Sequence, residues 1–168
     1  MTRFMTDAER NFFRLAYLCA KTLSDDPHTQ NGAVLVSPEG NVLGKGANQF
    51  PAGVKVIAER QERPLKYDFM VHAEQAAILA AARFGQPTIG ATLYCPWAAC
   101  MACARFIIHA GIVRVITHAE MHRKTPERWQ TEIERAVDLF AEAGVEYTQV
   151  KGGVGGVCVL FDEKEWSP

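Results

Sequence analysis

Residues 91–118 read ATLYCPWAACMACARFIIHAGIVRVITH, and this stretch contains three successive secondary-structure patterns. The apolar run over 91–95 predicts a strand, and 100–110 predicts a helix that ends before Gly111. The β-branched run over 112–117 predicts a second strand. A strand, a helix and a second strand in this order form the unit from which parallel sheets are built. The stretch therefore indicates an α/β fold.

The sequence on both sides of this unit predicts further helices and strands. An alanine-rich segment, 72–84, favours a helix, and Gly85 is a typical helix-ending residue. Residues 49–70 are charged and proline-rich, which predicts a long irregular loop of the kind that often carries function. A hairpin followed by alternating strands and helices is typical of a layered α/β sandwich with a partly parallel sheet. The remaining predicted elements are a helix from Thr6 or Asp7 to about Ser24, a hairpin over 32–36 and 42–46, a helix from Pro126 to Gly144, and strands over 145–150 and 157–161.

Length and charge narrow the class of protein. The chain has 168 residues, which predicts one domain over 1–168. The formal net charge of −1 provides no bulk attraction to polyanions and disfavours a nucleic-acid partner. No apolar run approaches the roughly 18 residues needed to span a bilayer, so we expect no membrane segment.

The cysteines indicate a reducing compartment. Their number, five, is odd, and the first residues, MTRFMTDAERNFF, lack the continuous apolar segment of a secretory signal. We therefore expect a cytoplasmic protein in which closely spaced cysteines bind a metal or take part in chemistry rather than form disulfides.

His72, Cys100 and Cys103 are the candidate metal ligands. Cys100 and Cys103 form a C-x-x-C pair in the first turn of a predicted helix, and His72 precedes another predicted helix. A helix N-terminus favours thiolates, which are the form of cysteine that binds metal. One nitrogen and two sulfurs suit zinc, and catalytic zinc sites have three protein ligands. If the two helix ends face each other across the sheet, the three residues form a zinc site at the carboxyl ends of the strands.

Glu74 lies two residues after His72, at the same predicted helix end. A carboxylate that does not bind the metal can take a proton from water and return it to a leaving amine. Zinc deaminases divide the roles in this way, with an H-x-E motif followed by C-x-x-C. The pattern therefore predicts Glu74 as the catalytic acid and base.

Each part of the pattern also has a simpler interpretation. A lone histidine before a helix is usually a cap or a surface residue, and a lone C-x-x-C pair can be a redox pair or buried sulfur. A closed structural zinc site would need a fourth ligand, for which Cys95, His109 and His118 are the candidates. We interpret Cys95 as a buried wall of the site, and Cys19 and Cys158 as core thiols.

Residues from about 7 to 147 resemble the cytidine and deoxycytidylate deaminase superfamily, in particular its deoxycytidylate deaminase-like branch. The combination of H-x-E and C-x-x-C is highly specific for the superfamily. The resemblance implies a three-layer α/β/α sandwich of the cytidine deaminase type, with a mixed sheet of five to six strands. The flanking segments that resemble the branch are DPHTQNGAV (26–34), GANQFPAGV (46–54), RPLKY (63–67) and ARFIIHAGI (104–112).

The resemblance also implies roles for individual residues. By position, His72, Cys100 and Cys103 would bind Zn²⁺, and Glu74 would move protons. The implied reaction is hydrolytic deamination at C4 of a cytosine ring, which converts dCMP to dUMP and releases ammonia. The enzyme is expected to assemble as a homo-oligomer, from dimer to hexamer. The implied substrate contacts are Asn48, Ala73 and Ala99.

Three positions depart from the family pattern. Ala99 stands where a proline commonly precedes the first ligand cysteine, and Ala47 stands where an aromatic residue is common. Gln30 stands where deoxycytidylate deaminases often have a lysine or arginine near the substrate phosphate, and a neutral amide cannot supply that charge. The other cations that could serve the phosphate are Lys45, Arg60, Arg63, Lys66, Arg123 and Lys124.

Several functions therefore remain open beside dCMP deamination. Gln30 favours a deaminase of a free nucleoside or nucleobase. Deamination within a polynucleotide is disfavoured by the near-neutral charge. A non-catalytic zinc-stabilised binding module is disfavoured by Glu74, because a purely structural metal site has no use for a carboxylate beside it.

Overall fold

The computed structural model describes residues 2–168, which form eight strands and seven helices. No helix within this described part has the length and apolar character needed to cross a bilayer. In chain order the elements are β1 (Thr2–Phe4), α1 (Asp7–Leu23), β2 (Gly32–Val36), β3 (Val42–Ala47), α2 (Ala58–Gln61), α3 (Lys66–Phe69), α4 (Ala73–Arg83), β4 (Thr92–Tyr94), α5 (Met101–His109), β5 (Arg114–His118), α6 (Ala119–His122), α7 (Glu127–Glu142), β6 (Glu146–Lys151), β7 (Val159–Phe161) and β8 (Lys164–Trp166).

Six strands form one mixed sheet in the order β1-β6-β5-β4-β2-β3. Neighbouring strands from β1 to β4 are parallel, whereas β2 pairs antiparallel with both β4 and β3. β3 therefore runs in the same direction as β4, and both strands end at the same edge of the sheet. α4 and α5 begin at this edge, which is where ligands usually bind in open α/β sheets.

One face of the sheet is covered by α1. The N-terminus of this helix has a capping box, in which Thr6 and Glu9 bond to each other's backbone N–H groups. Ala16 and Tyr17 are fully buried on the side that faces the sheet. Gly32 is needed at the start of β2, because a Cβ there would lie 2.1 Å from the carbonyl oxygen of Ala16. The backbones of helix and strand are therefore in direct contact.

The opposite face of the sheet is covered by α4, α5 and α7. Ala77, Ile107 and Phe140 are buried on these helices and belong to one apolar cluster. α4 lies so close to β3 that a Cβ at Gly46 would come within 2.4 Å of the backbone nitrogen of Ala77. The helix that begins beside His72 is thus held rigidly against the sheet. These layers confirm the predicted three-layer α/β/α sandwich with a mixed sheet.

Parts of the chain differ from the sequence-based expectation. The predicted strand over 157–161 exists as β7, but it pairs with β8 in a separate hairpin and does not join the main sheet. The sixth strand of the sheet is β1, whose three residues are too few to show a periodic pattern. The segment 49–70 is not wholly irregular, because it contains the single-turn helices α2 and α3.

Candidate active site

His72, Cys100 and Cys103 come together at the N-termini of α4 and α5. His72 is the N-cap residue of α4, Cys100 is the N-cap residue of α5, and Cys103 lies in the first turn of α5. The Nδ1 atom of His72 lies 3.5 Å from the Sγ atom of Cys100 and 3.4 Å from that of Cys103. All three donor atoms lie within 4.8 Å of one another, the only such group of metal-ligating side chains found among residues 2–168.

The spacing of these donors fits zinc. With a Zn–N bond of about 2.0 Å and a Zn–S bond of about 2.3 Å, a tetrahedral site puts nitrogen and sulfur about 3.5 Å apart. The two nitrogen–sulfur distances have this value. Cys95, His109 and His118 do not belong to the donor group. Three ligands without a fourth are typical of catalytic rather than structural zinc sites.

The protonation states in the cluster depend on one another. A hydrogen bond between the two thiols lowers the pKa of Cys100 to about 4 and raises the pKa of Cys103. The hydrogen bond with Cys100 raises the pKa of His72 to about 9. The cluster therefore favours a thiolate beside an imidazolium, and a divalent cation displaces the remaining protons when it binds.

Glu74 lies in the first turn of α4 and is almost completely buried. Burial disfavours its charged form and raises the pKa of Glu74 to about 7, although the neighbouring His72 opposes the shift. A carboxyl group with a pKa near neutrality can both accept and donate a proton during a reaction. The position and the pKa of Glu74 thus suit a proton carrier.

Asn48 is fixed at the end of β3, beside the start of α4. Its Oδ1 atom accepts a hydrogen bond of 3.0 Å from the backbone N–H of Ala73. Its own backbone N–H donates to the carbonyl oxygen of Asn31 at 3.1 Å. These bonds orient the amide and leave its Nδ2 group as a donor that can face a ligand in the pocket, which Asn48 lines.

Ala73 and Ala99 do not line the pocket. Both side chains are buried in the apolar cluster under α4 and α5. The backbone N–H of Ala73 is engaged with Asn48. The assignment of Ala73 and Ala99 as substrate contacts therefore stays a prediction from the resemblance.

The pocket has a volume of about 820 Å³ with its open mouth included. We define its floor as His72, Glu74 and Cys100, which line the pocket, together with Cys103, the third donor of the cluster. Its walls include two aromatic pairs in edge-to-face contact, with ring centroids separated by 5.8 Å and 5.4 Å. Such apolar walls suit a planar base, because the rings provide flat contact area. The aromatic pairs are Tyr67 with Trp129 and Trp97 with Phe161.

Two of the six cations considered for phosphate recognition line the pocket, namely Arg63 and Lys66. Lys66 is buried and donates to both carboxylate oxygens of Asp26, at 2.7 Å and 2.9 Å. Arg63 pairs with Asp162 at 3.3 Å. The four that do not line the pocket are Lys45, Arg60, Arg123 and Lys124.

Gln30 serves a structural purpose at the position where a basic residue was expected. Its Oε1 atom accepts a hydrogen bond from the backbone N–H of Leu160, and its backbone N–H donates to the carbonyl oxygen of Leu160, both at 2.9 Å. The hydroxyl of Thr29 accepts from the backbone N–H of Asp162 at 3.0 Å. These bonds attach the β7–β8 hairpin to the entry of β2, so that Phe161 and Asp162 reach the pocket.

The sequence analysis missed several residues of the pocket. Arg128, in the first turn of α7, lies at the mouth and forms no ion pair with any other of residues 2–168. We define the rim of the pocket as Arg63, Arg128 and Asp162. The only feature of the sequence that could have indicated Arg128 is its position next to Trp129 at the start of a predicted helix. No sequence pattern indicates Asp162, because it reaches the pocket through a hairpin that pairs outside the main sheet.

The remaining cysteines lie outside the donor group. Cys95 and Cys19 are buried, as predicted. Cys95 does not line the pocket and therefore forms no wall of it; its Sγ atom accepts a hydrogen bond from Asn31. Cys158 is only half-buried, so its interpretation as a core thiol is wrong. It lies just before β7 in the loop that leads to the hairpin, which explains its exposure.

Comparisons with known proteins identify relatives of this chain. The family model of the cytidine and deoxycytidylate deaminase zinc-binding region matches residues 6–119. An uncharacterised deaminase encoded in the luxG 3′ region of Aliivibrio fischeri is 36% identical over 83% of this chain and 90% of its own length. Human deoxycytidylate deaminase is 31% identical over 90% of this chain and 84% of its own length.

A solved structure has the same fold. The dCMP deaminase of the cyanophage S-TIM5, in its apo form, superposes with a TM-score of 0.66 and 21% sequence identity. The superposition covers 88% of this chain and 100% of the phage chain. At this identity the match supports the fold alone.

Proposed function

The chain belongs to the cytidine and deoxycytidylate deaminase family and is a zinc-dependent hydrolytic deaminase, and we propose that its substrate is dCMP, which it converts to dUMP and ammonia. The observation that carries this proposal is the division of the pocket into two parts. A zinc donor set and a buried carboxylate lie at the floor, and two arginines lie at the rim. The human relative at 31% identity is named for the same substrate.

In this proposal, His72, Cys100 and Cys103 hold Zn²⁺. When bound, the ion supplies the Lewis acidity that makes water a nucleophile at neutral pH. Glu74 takes a proton from water as the oxygen adds to C4 of the cytosine ring, and it delivers this proton to N3. Glu74 then passes the second proton of the water to the exocyclic amine, which leaves as ammonia. The base that remains is uracil.

The surroundings of Glu74 support its role in both proton transfers. Its side chain is shielded from bulk water, so a proton that it holds is delivered to the ring rather than lost to solvent. Burial raises the pKa of Glu74 above its ordinary value, toward the range in which a carboxyl group is effective both as base and as acid. A surface carboxylate would stay ionised and could not return the proton as readily.

The rim supports recognition of a 5′-phosphate. Arg128 is free of ion pairs among the described residues, and Arg63 is held by an exposed carboxylate only. A guanidinium group can bind two phosphate oxygens at once in a bidentate geometry. Lys66 is less available, since its ammonium group is already bound to both oxygens of Asp26.

Two observations favour a second candidate, a deaminase of the free nucleoside. Gln30 is neutral and is bound to the backbone of Leu160, so it provides no charge for a phosphate. Asp162 also offsets the charge of Arg63. A substrate without a phosphate would not need either arginine.

Ammonia release from dCMP, deoxycytidine, CMP and cytosine at matched concentrations tests the proposal. We expect dCMP to give the highest kcat/KM. Arg128→Gln should raise the KM for dCMP several-fold and leave the KM for deoxycytidine unchanged. The control is Arg83→Gln, at an exposed position at the far end of α4, which should alter neither KM. Faster turnover of deoxycytidine than of dCMP would contradict the proposal and support the second candidate.

Three further features remain predictions of the same proposal. They are the single-domain organisation of residues 1–168, the cytoplasmic location and the homo-oligomeric state. Light scattering of the purified protein would measure its mass in solution, and a mass that equals the 18.6 kDa of one chain would contradict the oligomer prediction.

A further inference from the structure

Asn31 is a buried polar residue that the chemistry above does not use. It immediately precedes β2, at the same sheet edge as Asn48, and it lines the pocket. Only 5% of its surface is exposed. Its Nδ2 atom donates to the Sγ atom of Cys95 at 3.4 Å, but its Oδ1 atom is buried and has no hydrogen-bond partner among residues 2–168.

We propose that Asn31 is a substrate-binding residue whose Oδ1 atom accepts a hydrogen bond from the nucleoside part of the substrate. This inference rests on the proposed deaminase function of the same pocket. A buried amide oxygen without a partner destabilises a protein, and such groups are rare in native structures. An unpartnered acceptor on a residue that lines a ligand pocket is explained if the ligand provides its donor.

The backbone around Asn31 holds the side chain in place. Its carbonyl oxygen accepts from the backbone N–H of Asn48 at 3.1 Å, so the two asparagines are neighbours on adjacent strands. The next residue, Gly32, lies directly against the backbone of α1 and cannot shift toward that helix. The Nδ2 atom is bound to Cys95, which does not line the pocket. The Oδ1 atom is therefore the polar atom of the amide that remains available to a ligand.

The chemistry of the substrate limits which group can bind. A cytosine nucleotide has N–H donors only in its 4-amino group, and its sugar provides hydroxyl donors. The phosphate dianion has no donor. The partner of Asn31 is therefore the 4-amino group or a sugar hydroxyl, and these two sources can be separated because the product dUMP keeps the sugar but lacks the amino group.

Asn31→Leu tests the proposal, since leucine has nearly the same shape as asparagine but no polar atoms. The buried amide of Asn31 has an unpartnered oxygen and only one side-chain hydrogen bond, to the weak sulfur acceptor of Cys95, so replacing it by an apolar group of this shape should leave the melting temperature unchanged or raise it. The kcat/KM for dCMP should nevertheless fall about tenfold to a hundredfold, the effect of one lost hydrogen bond in a buried site. Asn41→Leu, at an exposed turn before β3, is the matched control and should change neither quantity.

Inhibition by dUMP then identifies the group. If Asn31 binds the 4-amino group, Asn31→Leu leaves the inhibition constant of dUMP unchanged; if it binds a sugar hydroxyl, that constant rises in parallel with the loss of kcat/KM. A stable Asn31→Leu variant with the kcat/KM of the wild type would overturn the proposal. If the leucine variant does not fold, Asn31→Val, which is smaller and suited to a strand, is measured in the same way.

The two proposals fail differently. If the wild type released no ammonia from dCMP, the substrate assignment would be wrong. The Asn31 variants would then be compared on whichever cytosine compound the wild type does deaminate, and equal rates there would overturn the role of Asn31.

Discussion

The floor of the pocket is built from the N-termini of two helices. Its rim, in contrast, consists of residues from three separate places: the 49–70 segment, the start of α7 and the turn of the β7–β8 hairpin. The floor is buried, and its pKa values are shifted: burial raises the pKa of Glu74 to about 7, and the hydrogen bond with Cys103 lowers the pKa of Cys100 to about 4. The rim is charged and open to solvent, where ion pairs are weak and screened by salt. The floor thus determines the chemistry, and the rim determines how strongly a given substrate binds.

The contrast has a structural origin. The helix that carries Glu74, α4, is packed backbone-to-backbone against β3, so a small displacement there costs packing energy in the core. The hairpin that carries part of the rim is a two-stranded element outside the main sheet. Substitutions at the floor should therefore abolish activity, and substitutions at the rim should change it by small factors.

The largest effect is expected from the loss of a metal ligand. Cys103→Ala removes one of three zinc donors, and the remaining two should hold the ion too weakly for activity. We expect loss of zinc after dialysis and no measurable ammonia release, while Cys158→Ala, outside the cluster, retains both. A Cys103→Ala variant with wild-type zinc content and turnover would show that the floor is wrongly assigned. Elemental analysis and an ammonia assay measure the two quantities.

The next largest effect is expected at Lys66, which lines the pocket together with its partner Asp26. Lys66→Met leaves the buried carboxylate of Asp26 without its cation, and this should lower the free energy of unfolding by about 3–5 kcal/mol. Denaturant unfolding measures the change. Adding Asp26→Asn should recover part of the loss, because the uncompensated charge is then removed. Wild-type stability of Lys66→Met would mean that the pair is not buried in solution.

A smaller effect is expected at the rim. Asp162→Asn removes the partner of Arg63 and frees its guanidinium group for the phosphate. The KM for dCMP should fall about two- to threefold, a small factor because exposed ion pairs are weak. The change should vanish in high salt and should not appear with deoxycytidine. Asp7→Asn, in an exposed pair with Arg10 far from the pocket, serves as control. A large change in kcat instead of KM would show that the rim takes part in the chemistry.

The smallest effect is expected far from both regions, where Arg3 on β1 binds Glu9 on α1 at 2.8 Å. This hydrogen bond lowers the pKa of Glu9 below its ordinary value. The folded protein then binds a proton less readily than the unfolded chain, so the stabilisation is complete at neutral pH and is lost as the pH falls below about 4.5. Melting temperatures at pH 7 and pH 4 should differ less in Glu9→Gln than in the wild type or in Glu142→Gln. Equal differences in all three proteins would contradict this role of the pair.

The floor could be predicted from sequence because its residues are set by local rules. His72 and Glu74 begin one helix, Cys100 and Cys103 begin another, and the alternation of strands and helices places both helix ends at one edge of the sheet. The layered α/β sandwich followed from the same alternation, and its three layers from the resemblance to the deaminase superfamily. Each of these signals lies within a short stretch of the chain.

Of the rim, only Arg63 was among the predicted candidates. Arg128 and Asp162 could not be predicted, since their places depend on contacts between distant segments. Gln30 bonds to Leu160 across 130 residues, and this contact brings Asp162 to the pocket. β1 is too short to show a pattern, and its place in the sheet depends on pairing with β6 at the other end of the chain. The unpartnered oxygen of Asn31 likewise becomes visible only when its neighbours are known.

Glu74→Gln, loaded with zinc to the same content as the wild type, tests the central claim most directly. The amide has the shape of the carboxyl group but cannot carry the proton, and the zinc donors are untouched. Ammonia release from dCMP should fall by about 10²- to 10⁴-fold at equal zinc content and equal melting temperature. Unchanged ammonia release from a zinc-loaded Glu74→Gln enzyme would contradict the assignment of this pocket as the site of deamination.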